Sequence, residues 1–178
     1  MNSSYNNTLD YGDLIKYILF SKQPKKIVEF GILDGYSLKI FTENTTDCEI
    51  KAFDIFDEFN GNSANKSIII DKFKEYKNIT IEYGNFYNKI NDFNDNDLDI
   101  IHIDIANNGD VYKFAIDNYM SKIKKGGIMI LEGGSKERDN IEWMIKYNKP
   151  KIKQYLKTIK YETITIGKIP SITIIKNN

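Results

Sequence analysis

The chain has 178 residues, of which 41% are hydrophobic and 28% are charged, a composition typical of one globular domain rather than a disordered chain. Its 25 basic and 25 acidic side chains give a formal net charge of zero, so overall charge provides no argument for nucleic acid or an anionic membrane as the main partner. The single cysteine, Cys48, excludes an internal disulfide and any C-x-x-C metal site.

The stretch "NSSYNNTLDYGD" after Met1 has neither a basic region nor an apolar region of the kind that signal peptides contain. All apolar runs are also shorter than the roughly 20 residues that a membrane-spanning helix needs. We therefore expect a cytoplasmic protein without a membrane span.

Apolar runs and helical patterns alternate along the chain. An N-terminal helix is predicted over 8–21, and five buried strands are predicted at 26–31, 49–55, 78–85, 97–105 and 126–134. Helical spacing of apolar residues lies between the strands at 35–43, 64–76 and 110–122, and two more helices are predicted at 135–148 and from Pro150. The ending "YETITIGKIPSITIIKN" has two β-branched runs separated by a turn, which predicts a hairpin.

Strands that alternate with helices predict a parallel sheet covered on both faces, because parallel strands need crossover connections. The hairpin adds two neighbouring antiparallel strands at the end. The predicted fold is therefore α/β, a doubly wound Rossmann-like sheet of seven strands, mostly parallel with an antiparallel last strand. We expect a single domain over 1–178, with an N-terminal helical segment (1–24) and a core (25–178).

Polar side chains occupy the predicted strand ends, beyond which open parallel sheets bind their ligands. Four ends carry an acid and one carries an amide: Glu29, Asp54, Asn85, Asp104 and Glu132. Acids suit a ligand with hydroxyls and a positive charge, whereas a phosphate near Glu29 and Asp34 would meet no lysine or arginine inside the loop. Any one acid can equally cap a helix, but an acid that ends the second strand can also accept both hydroxyls of a ribose.

Five motifs follow one another in an order that resembles the class I S-adenosylmethionine-dependent methyltransferases: "VEFGILDGYS", "KAFDIF", "YGNFYN", "DIIHIDIANNGD" and "IKKGGIMILEGG". The first is similar to the E-x-G-x-x-x-G-x-S variant found among small-molecule O-methyltransferases, although it lacks the common G-x-G pair. The resemblance covers residues 25–176, and it implies the same seven-stranded sheet with S-adenosylmethionine as the cofactor.

The resemblance also implies roles for individual residues. The implied cofactor site has Glu29, Gly31, Gly35 and Ser37 around the methionine part, Asp54 on the ribose, Ile55, Asn85 and Phe86 around the adenine, and Asp104 facing the methyl group. Asp104 is the first candidate for a catalytic residue, as a base or as a group that orients the acceptor. His102 and Glu132 are the other candidates, and His102, the single histidine, is equally interpreted as a core residue of its strand.

A metal site is not predicted, since only Asp104 and Glu132 occupy positions where metal-dependent relatives have three ligands; a divalent ion between these two carboxylates is the alternative. The expected activity is O-methylation of a small-molecule or glycan hydroxyl. Asn107 and Asn108 are either contacts to a polyhydroxylated acceptor or caps of the following helix. The chain has no long insertion to form an acceptor pocket, so either the N-terminal segment or a second subunit in a homo-oligomer can complete the site.

Two other functions compete with this one: a non-catalytic domain that keeps the cofactor fold, and a nicotinamide-dependent oxidoreductase. The absence of G-x-G-x-x-G and the terminal hairpin argue against the oxidoreductase. Nucleic acid is not expected as the acceptor, because the fourth motif has "DIAN" and no base-reading tetrapeptide. A lysine-rich stretch between 146 and 160 is interpreted most simply as a solvated helix surface.

Overall fold

Helices and strands alternate over most of the chain in the predicted order. The computed structural model describes residues 11–56, 62 and 64–178. The α-helices are α1 (Tyr11–Lys22), α2 (Tyr36–Glu43), α3 (Lys66–Phe73), α4 (Gly109–Tyr119), α5 (Glu142–Lys146) and α6 (Ile152–Leu156). The strands are β1 (Lys26–Phe30), β2 (Glu49–Asp54), β3 (Ile79–Tyr83), β4 (Leu98–Ile103), β5 (Ile123–Glu132), β6 (Glu162–Gly167) and β7 (Ser171–Lys176).

The described residues up to Asn91 form one compact unit. Strands β1, β2 and β3 are parallel, so the chain crosses back through α2 and then α3, and α1 packs against α2. Four of the five residues of β1 are buried, which explains why its sequence is a nearly continuous apolar run. The largest fully buried side chains include Ile15, Phe30, Leu38, Phe41 and Ile50.

The residues from Asp92 onward form a second compact unit. Strands β4 and β5 are parallel and are connected through α4, against which α6 packs. Strand β7 lies antiparallel between β5 and β6. Most of β6 is exposed, as expected of a strand at the edge of a sheet, whereas β7 is largely buried.

The seven strands have the order β3-β2-β1-β4-β5-β7-β6, with β7 antiparallel to both of its neighbours. This confirms the predicted fold class. The single domain over 1–178 stays a prediction, and residues 1–10 of the predicted N-terminal segment lie outside the described residues. In the described part of the chain, no helix has the length and hydropathy that crossing a membrane requires.

The continuous helix predicted over 135–148 is wrong. Residues Arg138–Asn140 form a 3-10 turn, Ile141 is extended with a ψ of 157°, and α5 spans only five residues. The carboxylate of Asp139 accepts hydrogen bonds from the backbone amides of Ile152 (2.9 Å) and Lys153 (2.8 Å), so it caps α6 instead of continuing a helix. Of the apolar residues whose spacing predicted the helix, Met144 is buried and Ile145 is 64% exposed, so the spacing does not mark one buried helix face.

Candidate functional site

The turn between β1 and α2 has an unusual backbone. Gly31, Leu33 and Gly35 all have positive φ values, of 91°, 47° and 74° respectively. Glycine adopts this conformation without steric cost, whereas leucine does not. Leu33 stands where the common G-x-G pair has its second glycine, so the sequence departs from the motif while the backbone keeps a left-handed conformation there.

A buried carboxylate lies at the foot of this turn. Glu29, at 0% exposure, is the penultimate residue of β1, and its side chain accepts a hydrogen bond from the hydroxyl of Ser37, which is also buried. The bond ties the strand to the first turn of α2 and fixes the span of the loop. The loop itself contains no cation, although Lys72 of α3 donates to the carbonyl oxygen of Asp34 from outside it.

Asp54 at the end of β2 holds the same turn from the other side. One carboxylate oxygen accepts from the backbone amides of Ile32 (2.7 Å) and Leu33 (3.2 Å). The other accepts from the amide of Phe56 (2.7 Å) and the side-chain amide of Asn62 (2.8 Å). A carboxylate has about four acceptor positions, so a ribose hydroxyl would have to replace one of these bonds. Asn62 is the partner most easily displaced, because it is the one side chain among the four donors; its own oxygen accepts from the amide of Ala64 (3.0 Å).

The three residues predicted near the adenine differ in exposure. Ile55 follows β2 and is half-buried. Asn85 uses its side-chain oxygen to accept from the amide of Tyr87 (3.0 Å), capping a short 3-10 turn. Phe86 is only 4% exposed and packs edge-to-face on Phe30, with ring centroids 5.2 Å apart. The Phe86 ring therefore belongs to the core, whereas Ile55 and Asn85 are both half-buried and can contact a ligand.

The predicted catalytic residues lie on β4 and β5 in the second unit. His102 is the penultimate residue of β4, fully buried and aligned with Ile130 of β5, which favours its interpretation as a core residue. Asp104 follows β4 and is half-buried. It is close enough to Glu132 that its negative charge contributes to raising the pKa of Glu132. The structure thus brings Asp104 and Glu132 together and places His102 below the surface.

Glu132 forms a buried ion pair that the sequence analysis missed. Arg138 donates from Nε to one Glu132 oxygen (2.6 Å) and from Nη2 to the other (2.7 Å), and both side chains are less than 10% exposed. The indole of Trp143 covers the guanidinium at 5.3 Å. Burial raises the pKa of Glu132 to about 7, and the attraction of Arg138 opposes that rise.

Asn107 and Asn108 have structural contacts. The Asn108 side chain caps α4 by accepting from the amide of Asp110 (2.8 Å), which confirms the capping interpretation for this residue. Asn107 is fully buried and donates to the carbonyl oxygens of Ile103 and Glu132, both at 2.9 Å. It therefore joins the ends of β4 and β5.

The alternative metal site between Asp104 and Glu132 does not fit the residues present. Both Glu132 oxygens already accept from a guanidinium, so a divalent cation there would face a positive charge. Among the residues that the structure describes, no group of three or more histidine, cysteine, aspartate or glutamate side chains could hold a metal ion.

Comparison with solved structures shows the same fold in several proteins at low sequence identity. A candidate caffeoyl-CoA O-methyltransferase from Staphylococcus aureus is 20% identical, with 97% of this chain and 85% of that chain covered and a TM-score of 0.71. An O-methyltransferase from Bacillus cereus in complex with SAH is 12% identical (98% and 84% covered, TM-score 0.66). TomG from Streptomyces achromogenes, an O-methyltransferase of tomaymycin synthesis in complex with SAM, is 11% identical (97% and 81% covered, TM-score 0.66).

No protein-family model matches the sequence, and no curated protein matches it. The likeness is therefore one of fold, and the chemistry has to be argued from the side chains described above.

Proposed function

We propose that this chain, which has the fold of the class I S-adenosylmethionine-dependent methyltransferases, binds S-adenosylmethionine (SAM) and methylates a hydroxyl of a small molecule. The observation that carries the proposal is the β1–α2 turn. Its backbone is left-handed at three alternate residues, a buried glutamate lies at its foot, and the carboxylate of Asp54 fixes its amides. Such a site suits a cationic nucleoside without phosphates better than a dinucleotide.

When bound, this cofactor supplies both the methyl group and its leaving group, so the chain has to align an acceptor and remove a proton. We propose that a carboxylate oxygen of Asp104 accepts the proton of the acceptor hydroxyl. Asp104 follows β4 and is half-buried. Glu132 is unsuited to that role, because both its oxygens accept from Arg138. His102 is unsuited as well, since it is fully buried.

A small-molecule acceptor fits this site better than a glycan. Asn107 and Asn108 were the side chains that suggested a polyhydroxylated acceptor, and both are engaged with backbone groups of their own chain. The solved relatives named for caffeoyl-CoA and for tomaymycin synthesis support small-molecule acceptors as a class. Cytoplasmic location and a homo-oligomer that completes the acceptor site belong to the same proposal.

Thermal unfolding with SAM, S-adenosylhomocysteine (SAH) and NAD tests the cofactor. At a hundred times the dissociation constant, either sulfur nucleoside should raise Tm by roughly 5–10 °C, while NAD should leave it unchanged. The Asp54→Asn variant should lose most of this shift, because an amide cannot accept from all four partners. Asn62→Ala is the matched control, since it removes one of the four bonds and should keep the shift. The absence of a shift with both SAM and SAH would rule out the proposal.

Replacing Asp104 with asparagine should separate binding from turnover. The Tm shift with SAM should stay within about 1 °C of the wild type, because binding affinity is unchanged. Methyl transfer from labelled SAM to a panel of simple phenols should fall by roughly 10²–10⁴-fold, the range for loss of a general base. A chain that binds SAM but methylates no acceptor in the panel or in a small-molecule extract would support the non-catalytic alternative. Unchanged transfer by Asp104→Asn would show that another group takes the proton.

A further inference from the structure

The residues from Trp143 to Tyr161, called here the lysine segment, concentrate the positive charge of the chain. The segment has no aspartate or glutamate, and it contains six lysines: Lys146, Lys149, Lys151, Lys153, Lys157 and Lys160. Because the whole chain has a formal net charge of zero, the other residues together carry a charge of −6. The zero net charge therefore conceals a strong separation of charge along the sequence.

All six lysines are exposed, and none forms an ion pair with the residues that the structure describes. Lysines elsewhere in the chain commonly form ion pairs, as Lys51 does with Glu49 (3.3 Å) and Lys176 with Glu162 (3.1 Å). Two aspartates lie near the segment: Asp139 is buried and bonded to backbone amides of α6, and Asp117, near Tyr155, pairs with Lys113 of α4. Glu142 and Glu162 flank the segment directly, but Glu162 pairs with Lys176, and the one polar side-chain contact of the six lysines is the bond from Lys151 to the side-chain oxygen of Asn140 among the described residues. The ammonium groups of the segment are therefore largely directed to solvent.

Apolar side chains are exposed within the same segment. Ile145 is 64% exposed and Tyr147 is 61% exposed, whereas Ile152, which anchors α6, is fully buried. Lysines beside exposed aliphatic and aromatic residues are typical of surfaces that bind the interface of an anionic bilayer.

We propose that the lysine segment binds the surface of an anionic lipid bilayer. The six ammonium groups attract the lipid phosphates, and Ile145 and Tyr147 enter the interfacial region. A single-stranded nucleic acid fits less well, because it favours stacking aromatic side chains and arginine, and the segment has no arginine. This inference is independent of the proposed methyl transfer, since it concerns other residues and a different ligand.

Co-sedimentation of the full chain with lipid vesicles tests the inference. The chain should bind vesicles that contain phosphatidylglycerol and should not bind vesicles of phosphatidylcholine alone, and high salt should release it. A triple variant, Lys149→Gln with Lys153→Gln and Lys157→Gln, should bind roughly 100-fold more weakly, since each lysine contributes a factor of roughly five near an anionic surface. Ile145→Ser should weaken binding without changing its salt dependence.

The matched control removes three lysines outside the segment, Lys25, Lys51 and Lys176, by the same change to glutamine. It alters the net charge equally and should bind as the wild type does. Thermal unfolding of both triple variants should show a Tm within about 3 °C of the wild type, as expected for surface substitutions. Equal losses in the two variants, no binding to anionic vesicles, or tighter binding to polyuridylate than to the vesicles would each overturn the inference.

Discussion

Replacing Arg138 with methionine is expected to lower the free energy of unfolding by about 3–5 kcal/mol at about pH 9, where Glu132 is ionised in the wild type, because it leaves a buried carboxylate without its cation. Glu132 is 3% exposed, and both of its oxygens accept from Arg138. Arg138→Lys should be less harmful because it keeps the positive charge, but it should still destabilise the protein, since a single ammonium group cannot reproduce the two parallel bonds. Urea denaturation of the three proteins measures the difference directly.

The pH dependence of the stability lost by Arg138→Met distinguishes the effect of an unpaired charge from the effect of lost packing. Burial already raises the pKa of Glu132 to about 7, and removing Arg138 removes the attraction that opposes the rise. A carboxyl group whose pKa is raised by folding stabilises the protein at low pH, and this contribution is lost as pH increases through the raised pKa. The Arg138→Met variant should therefore be closest to the wild type near pH 4.5 and furthest from it above pH 7.

A double variant, Glu132→Leu with Arg138→Met, is the control for this argument. Replacing a buried pair by apolar groups of similar volume is often nearly neutral, so most of the lost stability should return. If the double variant is as unstable as Arg138→Met alone, the loss comes from the contacts of the arginine with Trp143 and the backbone of Asn107, and not from the unpaired carboxylate.

The order of the strands and helices could be predicted because each element depends on its own sequence. Buried parallel strands such as β4 are nearly continuous apolar runs, and the two β-branched runs around Gly167 indicate the hairpin without any knowledge of the remainder of the chain. The positions of acids at strand ends follow from the same elements. Local pattern therefore accounts for the fold and for the candidate residues Glu29, Asp54 and Asp104.

The contacts of those residues could not be predicted, because each depends on a partner distant in the sequence or outside the pattern. Asp54 bonds to amides that lie 22 and 21 residues earlier. Arg138 bonds back to Glu132, and Asp139 caps α6. These contacts are formed where apolar spacing predicted a continuous helix. One signal was nevertheless present: Arg138 is the only arginine among 25 basic residues. Where lysine is otherwise used throughout, a single arginine indicates a need for two parallel bonds from a planar group.

The β1–α2 turn, on which the proposed function depends, is expected to lose its conformation when a single methyl group is added at Gly35. Gly35 has a φ of 74°, and a Cβ there would lie 2.7 Å from Cε2 of Phe73, a ring that is itself buried. Left-handed strain and this overlap together should lower the free energy of unfolding of Gly35→Ala by about 2–4 kcal/mol. The Tm shift with SAM should disappear as well, since the amides of the turn would move.

Gly126→Ala separates the two causes, because Gly126 has a φ of 79° but nothing within 4 Å of the added Cβ. Gly126→Ala should lower the free energy of unfolding by only about 1 kcal/mol, which is the part due to backbone strain. Phe73→Leu in the Gly35→Ala background should recover part of the remaining loss, and a double-mutant cycle in urea measures that coupling. Equal losses for Gly35→Ala and Gly126→Ala would mean that the ring of Phe73 yields at no cost. A normal SAM response in Gly35→Ala would instead place the cofactor away from this turn, and the proposed function would lose the observation on which it depends.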